Sequence, residues 1–417
     1  MRKLVAAGLA AVTATVLAAC GSGGGSAPGD KTTVTMWMYP VIEDQAKSKA
    51  FWDKVEKDFE AANPTIDAKI ELQPWDGRQE KVTTALVTKK GFDLVLLGPD
   101  QVPQYAKQGT IAPLDDVVAA DKAAFRPSAL AALTTEGALY GVPIYQTITA
   151  PVFDKKVFAE AGVTQLPTTW DEVKAAAPKL AANKIPILQY PGAPETTLNL
   201  SYYPILWSYG GTVFSPDGKK AAFNGPEGVQ ALQMLLDLQA AGGLPANAAT
   251  MTNVIEGSPL AQGKSGFYHA AANVGAVQLG KAVGAENVSV GLPIQGTKRV
   301  AFGIPGGLVL AKASPSIEQA KKFAAYVASA PVATALSKES GYFTARTDAT
   351  VPEQSATAKE FEKSLEFAFP GDSHPKARQV MTLLSPEIQS ALQGRKSAEQ
   401  ALDDAAKQVD DLLASAR

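Results

Sequence analysis

Cysteine occurs once in these 417 residues, at Cys20, and histidine twice, at His269 and His374. A single cysteine excludes any disulfide within the monomer, so the chain must hold itself together by core burial. With no paired cysteines and no HExxH-like pattern, a zinc site has no ligand set to build on. Charge of either sign is not in excess: 39 Lys and Arg stand against 41 Asp and Glu. No basic block is present, which argues against a nucleic-acid partner. Beyond the first twenty residues no apolar run approaches membrane-spanning length. A nucleotide loop is missing too. The stretch "EGSPLAQGKSGFYHA" (256–270) contains Gly-Lys-Ser, but Gly257 and Gly263 enclose five residues where a phosphate loop has four. The adjoining residues "GFYHA" read as a strand, where such a loop feeds a helix. A second near match, "GGSAPGDKT" (24–32), fails because Asp30 separates Gly29 from Lys31.

The positive signals begin at the N-terminus. Arg2 and Lys3 precede the apolar segment "LVAAGLAAVTATVLA" (4–18), which ends in "LAAC" at Cys20. A positive head, a short apolar run and small residues before a cysteine describe an export signal. The pattern resembles a bacterial lipobox, implying that 1–19 is a signal peptide and that Cys20 carries a lipid. The Gly-rich "GSGGGSAPGDK" (21–31) then reads as a flexible tether. The expected mature protein is a soluble body on a lipid anchor at the outer face of the cell membrane. Its remaining length favours two domains.

Along that body strand-like and helix-like segments alternate, the signature of an α/β architecture. The strand segments are "TVTMWMY" (33–39), "IDAKIELQ" (66–73) and "FDLVLLG" (92–98), with helical patterns at 49–64 and 76–89 between them. The last strand is continuously apolar, as in a parallel strand covered on both faces. Ligands of such sheets gather at the carboxyl ends of the strands. Those ends bring Tyr39 with Glu43, Trp75 with Arg78, and Asp100 into consideration. Two long extended segments, 138–163 and 298–312, have the length to pass from one lobe to another. Further helices are expected at 168–182, 225–243, 314–329 (capped by Ser314-Pro315) and 397–414.

In order along the chain, "FEAANPTIDAKIEL", "FDLVLLGPDQVPQYAKQGTIAPLDD", "GALYGVPIYQTITAPVFDKKVFAEAGVTQLPTTWDEV" and "WSYGGTVFSPDGKKAAFNGPEGVQALQMLLDL" precede four shorter pieces. These are "LAQGKSGFYHA", "FGIPGGLVLAKASPSIEQAKKFAAYVAS", "GYFTART" and "LQGRKSAEQALDDA". The ordered set resembles the family-1 extracellular solute-binding proteins of ABC importers, which serve mainly sugars and oligosaccharides. The resemblance implies two α/β lobes of the periplasmic-binding-protein type with a discontinuous chain path. Lobe 1 is expected at 32–145 and 300–345, lobe 2 at 146–299 and 346–417, joined by hinge crossover strands. It further implies a monomer without cofactor or metal that binds a sugar between the lobes, performs no catalysis and passes the sugar to permease subunits.

A sugar ring presents an apolar face to an aromatic plate and a rim of hydroxyls to planar polar side chains. Asp100, after a buried strand in "GPDQ", matches the family's hydroxyl acceptor. Trp207 in "WSYGG" matches a cleft position, with a core tryptophan as the alternative. Tyr39 and Trp75 sit at strand ends, and Glu43 and Arg78 in the first turns after strands. Gln146 lies on a crossover. Gly306 and Gly307 would let backbone approach the ligand or form a bulge. Tyr268 and His269 alternate on one strand, so at most one faces the cleft, and His269 reads as a polar core residue. Asn273 stands where the family commonly has a tryptophan. Tyr342 and Arg346 resemble its second return loop, with an ion pair across the lobes as the alternative for Arg346. The late helix "KARQVMTLLSPEIQSAL" lacks the family's aromatic, which favours a small glycan over a long one. The alternatives are a non-sugar cargo (polyamine, peptide or phosphorylated solute) or a secreted carbohydrate-active enzyme.

Overall fold

The computed structural model describes residues 31–42, 44–351 and 355–415. The signal segment, Cys20, most of the tether and Glu43 therefore lie outside the described residues. In lobe 1 strand Thr32–Met38 lies between Ile66–Leu72 and Leu94–Leu97, parallel to both. Strand Pro305–Ala311 returns antiparallel beside Leu94–Leu97 and also pairs with Ile111–Ala112 and Val142–Gln146. Every residue of Leu94–Leu97 and of Pro305–Ala311 is buried, because helices cover both faces of this sheet.

Helix Gln45–Ala62 begins earlier than its apolar pattern indicates because Asp44 caps it, accepting from the Lys47 N–H. It buries Trp52, Val55 and Phe59 against the sheet, each such side chain contributing about 1.5–3 kcal/mol. The Ser314 hydroxyl accepts from the Ser316 N–H at 3.0 Å, so it caps the turn that leads into the helix rather than the helix itself. Helix Ile317–Val327 starts after Ser316, and the Ser314 hydroxyl also donates to buried Asp93 at 2.5 Å.

Lobe 2 is built on Thr149–Asp154, antiparallel to both Val288–Val290 and Phe267–Ala272. The last of these is the strand that "GKS" leads into. Around it pack helices Trp170–Ala181, Pro226–Ala240, Ala377–Leu392 and Ala398–Ala414. Thr169 with Glu172, and Ser397 with Gln400, close reciprocal caps at two of these helices.

Two short segments, 147–148 and 303–304, carry the chain between lobes side by side. The Thr147 N–H and hydroxyl both donate to the Ile304 carbonyl (2.8 and 3.1 Å), and the Ile304 N–H donates back to Thr147 Oγ1 at 3.1 Å. Lobe boundaries shift accordingly. Strand Ala301–Phe302 pairs with Ala368–Phe369, so lobe 2 extends to 302 rather than 299. Lobe 1 extends past 345, since the Arg126 N–H donates to Ala345 and the Thr347 N–H to Ala124.

Candidate functional site

Asp100 leaves the carboxyl end of Leu94–Leu97 and turns back over Gly98. A Cβ at position 98 would lie 2.7 Å from Asp100 Oδ1, so a larger residue there would displace the carboxylate from its present position. Asp100 Oδ2 accepts from Arg378 Nε at 2.5 Å, across the gap between the lobes. Arg378 belongs to the first turn of Ala377–Leu392. On that helix Arg378, Met381, Thr382 and Ser385 fall at i, i+3, i+4 and i+7, a single face turned to the cleft, while Val380, Leu384 and Ile388 face the core.

Three adjoining bays of about 350, 430 and 570 Å³ open around this pair, and Asp100 lines all three. The first is largely apolar, between Ala131 and Ala132 of lobe 1 and Tyr203, Phe214, Phe369 and Met381 of lobe 2. The second is lined by glutamines and cations, including Gln101, Gln104, Lys107 and Lys376. The third runs toward the hinge past Gln79, Thr196, Thr197, Asn199, Phe302 and Ile304. Several polar atoms at these walls are buried without a protein hydrogen-bond partner: Gln101 Oε1, Thr196 Oγ1, Asn199 Oδ1 and the Tyr203 hydroxyl. Buried polar groups are ordinarily paired, so this cluster leaves several groups for water or a bound solute to satisfy.

Residues 43–334 match the family described as bacterial extracellular solute-binding protein. The chain belongs to that family. The two-lobed fold of this solute-binding protein is that of the ABC transporter solute-binding protein from Thermotoga lettingae bound with α-D-tagatose. The TM-score is 0.74 at 25% identity, over 92% of this chain and 100% of that one. The sugar-binding protein MalE from Xanthomonas citri superposes with a TM-score of 0.81 at 22% identity, over 93% and 98% of the two chains. Among curated relatives, the diacetylchitobiose binding protein DasA of Streptomyces coelicolor is 33% identical over 180 residues, 41% of each chain. A binding protein of Brucella abortus is 33% identical over 183 residues, 43% of this chain and 44% of its own. This chain thus spans less than half the length of the curated relatives it matches.

Of the described residues expected at the site, only Asp100 lines the three bays. Tyr39, Trp75 and Arg78 form a separate stack at the rim of lobe 1. Tyr39 is buried beneath Trp75 with ring centroids 4.8 Å apart, and Arg78 lies 4.7 Å from the Tyr39 ring and 5.2 Å from that of Trp75. Arg78 is further held by donating to the Leu96 carbonyl at 3.0 Å, so it braces the stack. Trp75 remains 43% exposed.

Other expectations need correction. Trp207 is not a free plate: it is 2% exposed, meets Phe369 edge-on at 4.8 Å, and donates from Nε1 to Asp372 at 2.9 Å. Gly306 and Gly307 do not open the backbone to a ligand. A Cβ would come within 2.2 Å of the Tyr145 ring at Gly306 and 2.6 Å of Leu133 at Gly307, and the pair marks a register shift in the sheet. Tyr268 faces the lobe 2 core and donates to the Leu200 carbonyl at 2.7 Å. Its neighbour His269 is also buried, donates to Ser201 at 2.8 Å and stacks on Tyr190. Burial lowers the His269 pKa to about 4. Arg346 is buried in lobe 1, where it grips Asp348 at 2.8 Å and Asp121 at 2.6 Å over the Phe125 ring.

Gln146 is buried at the hinge, its backbone exchanging hydrogen bonds with Phe343 at 2.7 and 2.9 Å. Tyr342 packs on Tyr145 at 5.0 Å, and Asn273 heads helix Asn273–Val283 opposite Gly341. Among the described residues no cluster of three metal-ligating side chains is present, and no helix is long and apolar enough to cross a membrane. Sequence reasoning missed Arg378, Asn199, Gln79, Gln101 and Thr196. The Arg378 face was readable from its helical spacing. "APETTLNL" (193–200) carries no periodicity that would single out Thr196 or Asn199.

Proposed function

We propose that this protein captures a sugar or oligosaccharide between its lobes and hands it, chemically unchanged, to the permease of an ABC importer. The observation that carries the reading is the set of unpartnered polar atoms along the bays that meet at Asp100. An orphaned buried group costs about 1–3 kcal/mol, and a solute rich in hydroxyls meets acceptors and donors alike. Apolar walls at Phe302, Phe369 and Met381 suit the face of a sugar ring. The names of the relatives, which bind diacetylchitobiose and tagatose, point the same way. Lipid anchoring at Cys20 rests on the "LAAC" pattern.

The test is a thermal-shift screen of the full chain against a glycan panel, since a ligand stabilises by RT ln(1 + [L]/Kd). A stabilising glycan should also shrink the radius of gyration in solution scattering and be recovered intact. Asp100→Ala should abolish most of the shift. Stabilisation by a polyamine or peptide but by no glycan would transfer the reading to another cargo, and turnover of the glycan would make the protein an enzyme.

A further inference from the structure

The 430 Å³ bay differs in chemistry from its neighbours. Lys107 and Lys376 line it beside Arg378, and Asp100 is the one carboxylate on its wall. Neither lysine forms an ion pair among the described residues. Arg378 spends only Nε on Asp100, and neither of its Nη atoms donates a hydrogen bond among the described residues. Three cationic side chains and one carboxylate thus line the bay. Burial is the main cause lowering the pKa of neighbouring His374, and the positive field of Lys107 and Lys376 adds to it. The 16-residue helix Ala377–Leu392 also begins here, aiming its positive end at the bay.

A second observation points to a ligand rather than to a solvated charge patch. Gln101 is 4% exposed, lines the same bay, and its Oε1 has no protein partner. Because that oxygen accepts a hydroxyl while the cations take a negative group, the bay asks for both on one molecule.

Resting on the reading of the cleft as a glycan site, we infer that the cargo is an acidic glycan whose carboxylate, as in a uronic acid, occupies the bay between Gln101, Lys107, Lys376 and Arg378. The neutral part of the ligand then extends toward the two other bays, past Asp100. An uncharged glycan leaves Lys107 and Lys376 without a counter-charge. A ligand that is only an anion leaves Gln101 and the hinge-side hydroxyl acceptors unmet.

The experiment uses the full chain and matched disaccharide pairs of gluco and galacto configuration, each pair differing only by a C6 carboxylate or a C6 hydroxymethyl. Calorimetry should give about tenfold tighter binding for the uronate member, the sum expected of two or three half-exposed ion pairs. That advantage should shrink in 0.5 M NaCl, where screening shortens to about 4–5 Å. In the Lys107→Gln/Lys376→Gln double variant, checked by circular dichroism, the uronate-to-neutral affinity ratio should fall about fivefold, leaving the share that Arg378 supplies. Equal or tighter binding of the neutral member overturns the inference and leaves the glycan reading standing. A ratio unchanged in the double variant overturns the assignment to this bay. Failure of every member of both sets and of the glucuronate and galacturonate monomers to bind overturns this inference, and the glycan reading falls with it only when the whole glycan panel is inert as well.

Discussion

Replacing Trp207 distinguishes a core residue from a ligand platform. Its indole is 2% exposed and touches Phe369 at 4.8 Å, Tyr203 at 5.5 Å and Phe302 at 6.4 Å between ring centroids. Trp207→Ala removes those contacts and leaves a void, a loss of about 3–5 kcal/mol. It also strips the Nε1 donor from Asp372, whose pKa burial already raises and which keeps a backbone hydrogen bond from Val213, adding about 1 kcal/mol. At about 2–4 °C per kcal/mol for a lobe of this size, the melting transition should fall by on the order of 10 °C or more.

Trp207→Phe keeps part of the ring packing and loses the N–H, and the pH dependence of its penalty isolates the share due to the N–H. Its penalty should grow as pH rises. Asp372 has a raised folded pKa, so its favourable share is present below the ordinary carboxylate range and lost as it ionises. Removing the N–H raises that pKa further. Scanning calorimetry across pH 3.5–7.5, resolving the lobes, reads both effects. If Trp207→Ala leaves the transition within a degree of wild type while abolishing ligand binding, the core assignment is wrong.

Gly306→Ala should destabilise lobe 1 by several degrees in the same assay, because its Cβ would intrude on the Tyr145 ring at 2.2 Å; an unchanged transition would mean the ring yields freely. His269 has a folded pKa depressed from 6.5 to about 4, so its stabilising share is present above pH 6.5 and lost as pH falls toward 4. At 1.36 kcal/mol per unit this is on the order of 3 kcal/mol. His269→Gln should flatten that part of the pH–stability curve, and a wild-type curve already flat between pH 7 and 4 would refute it. Cys20→Ala should release the protein from membranes or block its processing; normal processing with unchanged membrane fractionation would remove the anchored reading.

How much of this was legible in the sequence depends on the physics that placed each residue. Trp52, Val55 and Phe59 were readable as a buried face because helical period and burial coincide. Leu94–Leu97 was readable as a covered strand because no polar residue interrupts it. Asp100 was found because a strand end fixes its position. The other strand-end candidates, Tyr39 and Trp75, instead satisfied each other as a stack, and Arg78 was drawn onto their rings. Arg346 is a polar residue whose partners, Asp121 and Asp348, decide its role, and only folding brings Asp121 to it across 225 positions. Arg378 meets Asp100 across 278 positions, a separation no local pattern encodes.

The hydrogen bonds between Thr147 and Ile304 carry a mechanical consequence. Ile304 is tied at its backbone to the neighbouring crossover and also forms part of the wall of the largest bay. On the proposed function, a solute filling that bay would press on the paired crossover segments that join the two halves. Its thickness at that point works like a wedge beside a door pin, where a small difference in bulk becomes a large difference in gape at the far edge. On the same proposed function, the size of the cargo would be expressed as an angle between the lobes, a quantity that a permease touching both of them could sense.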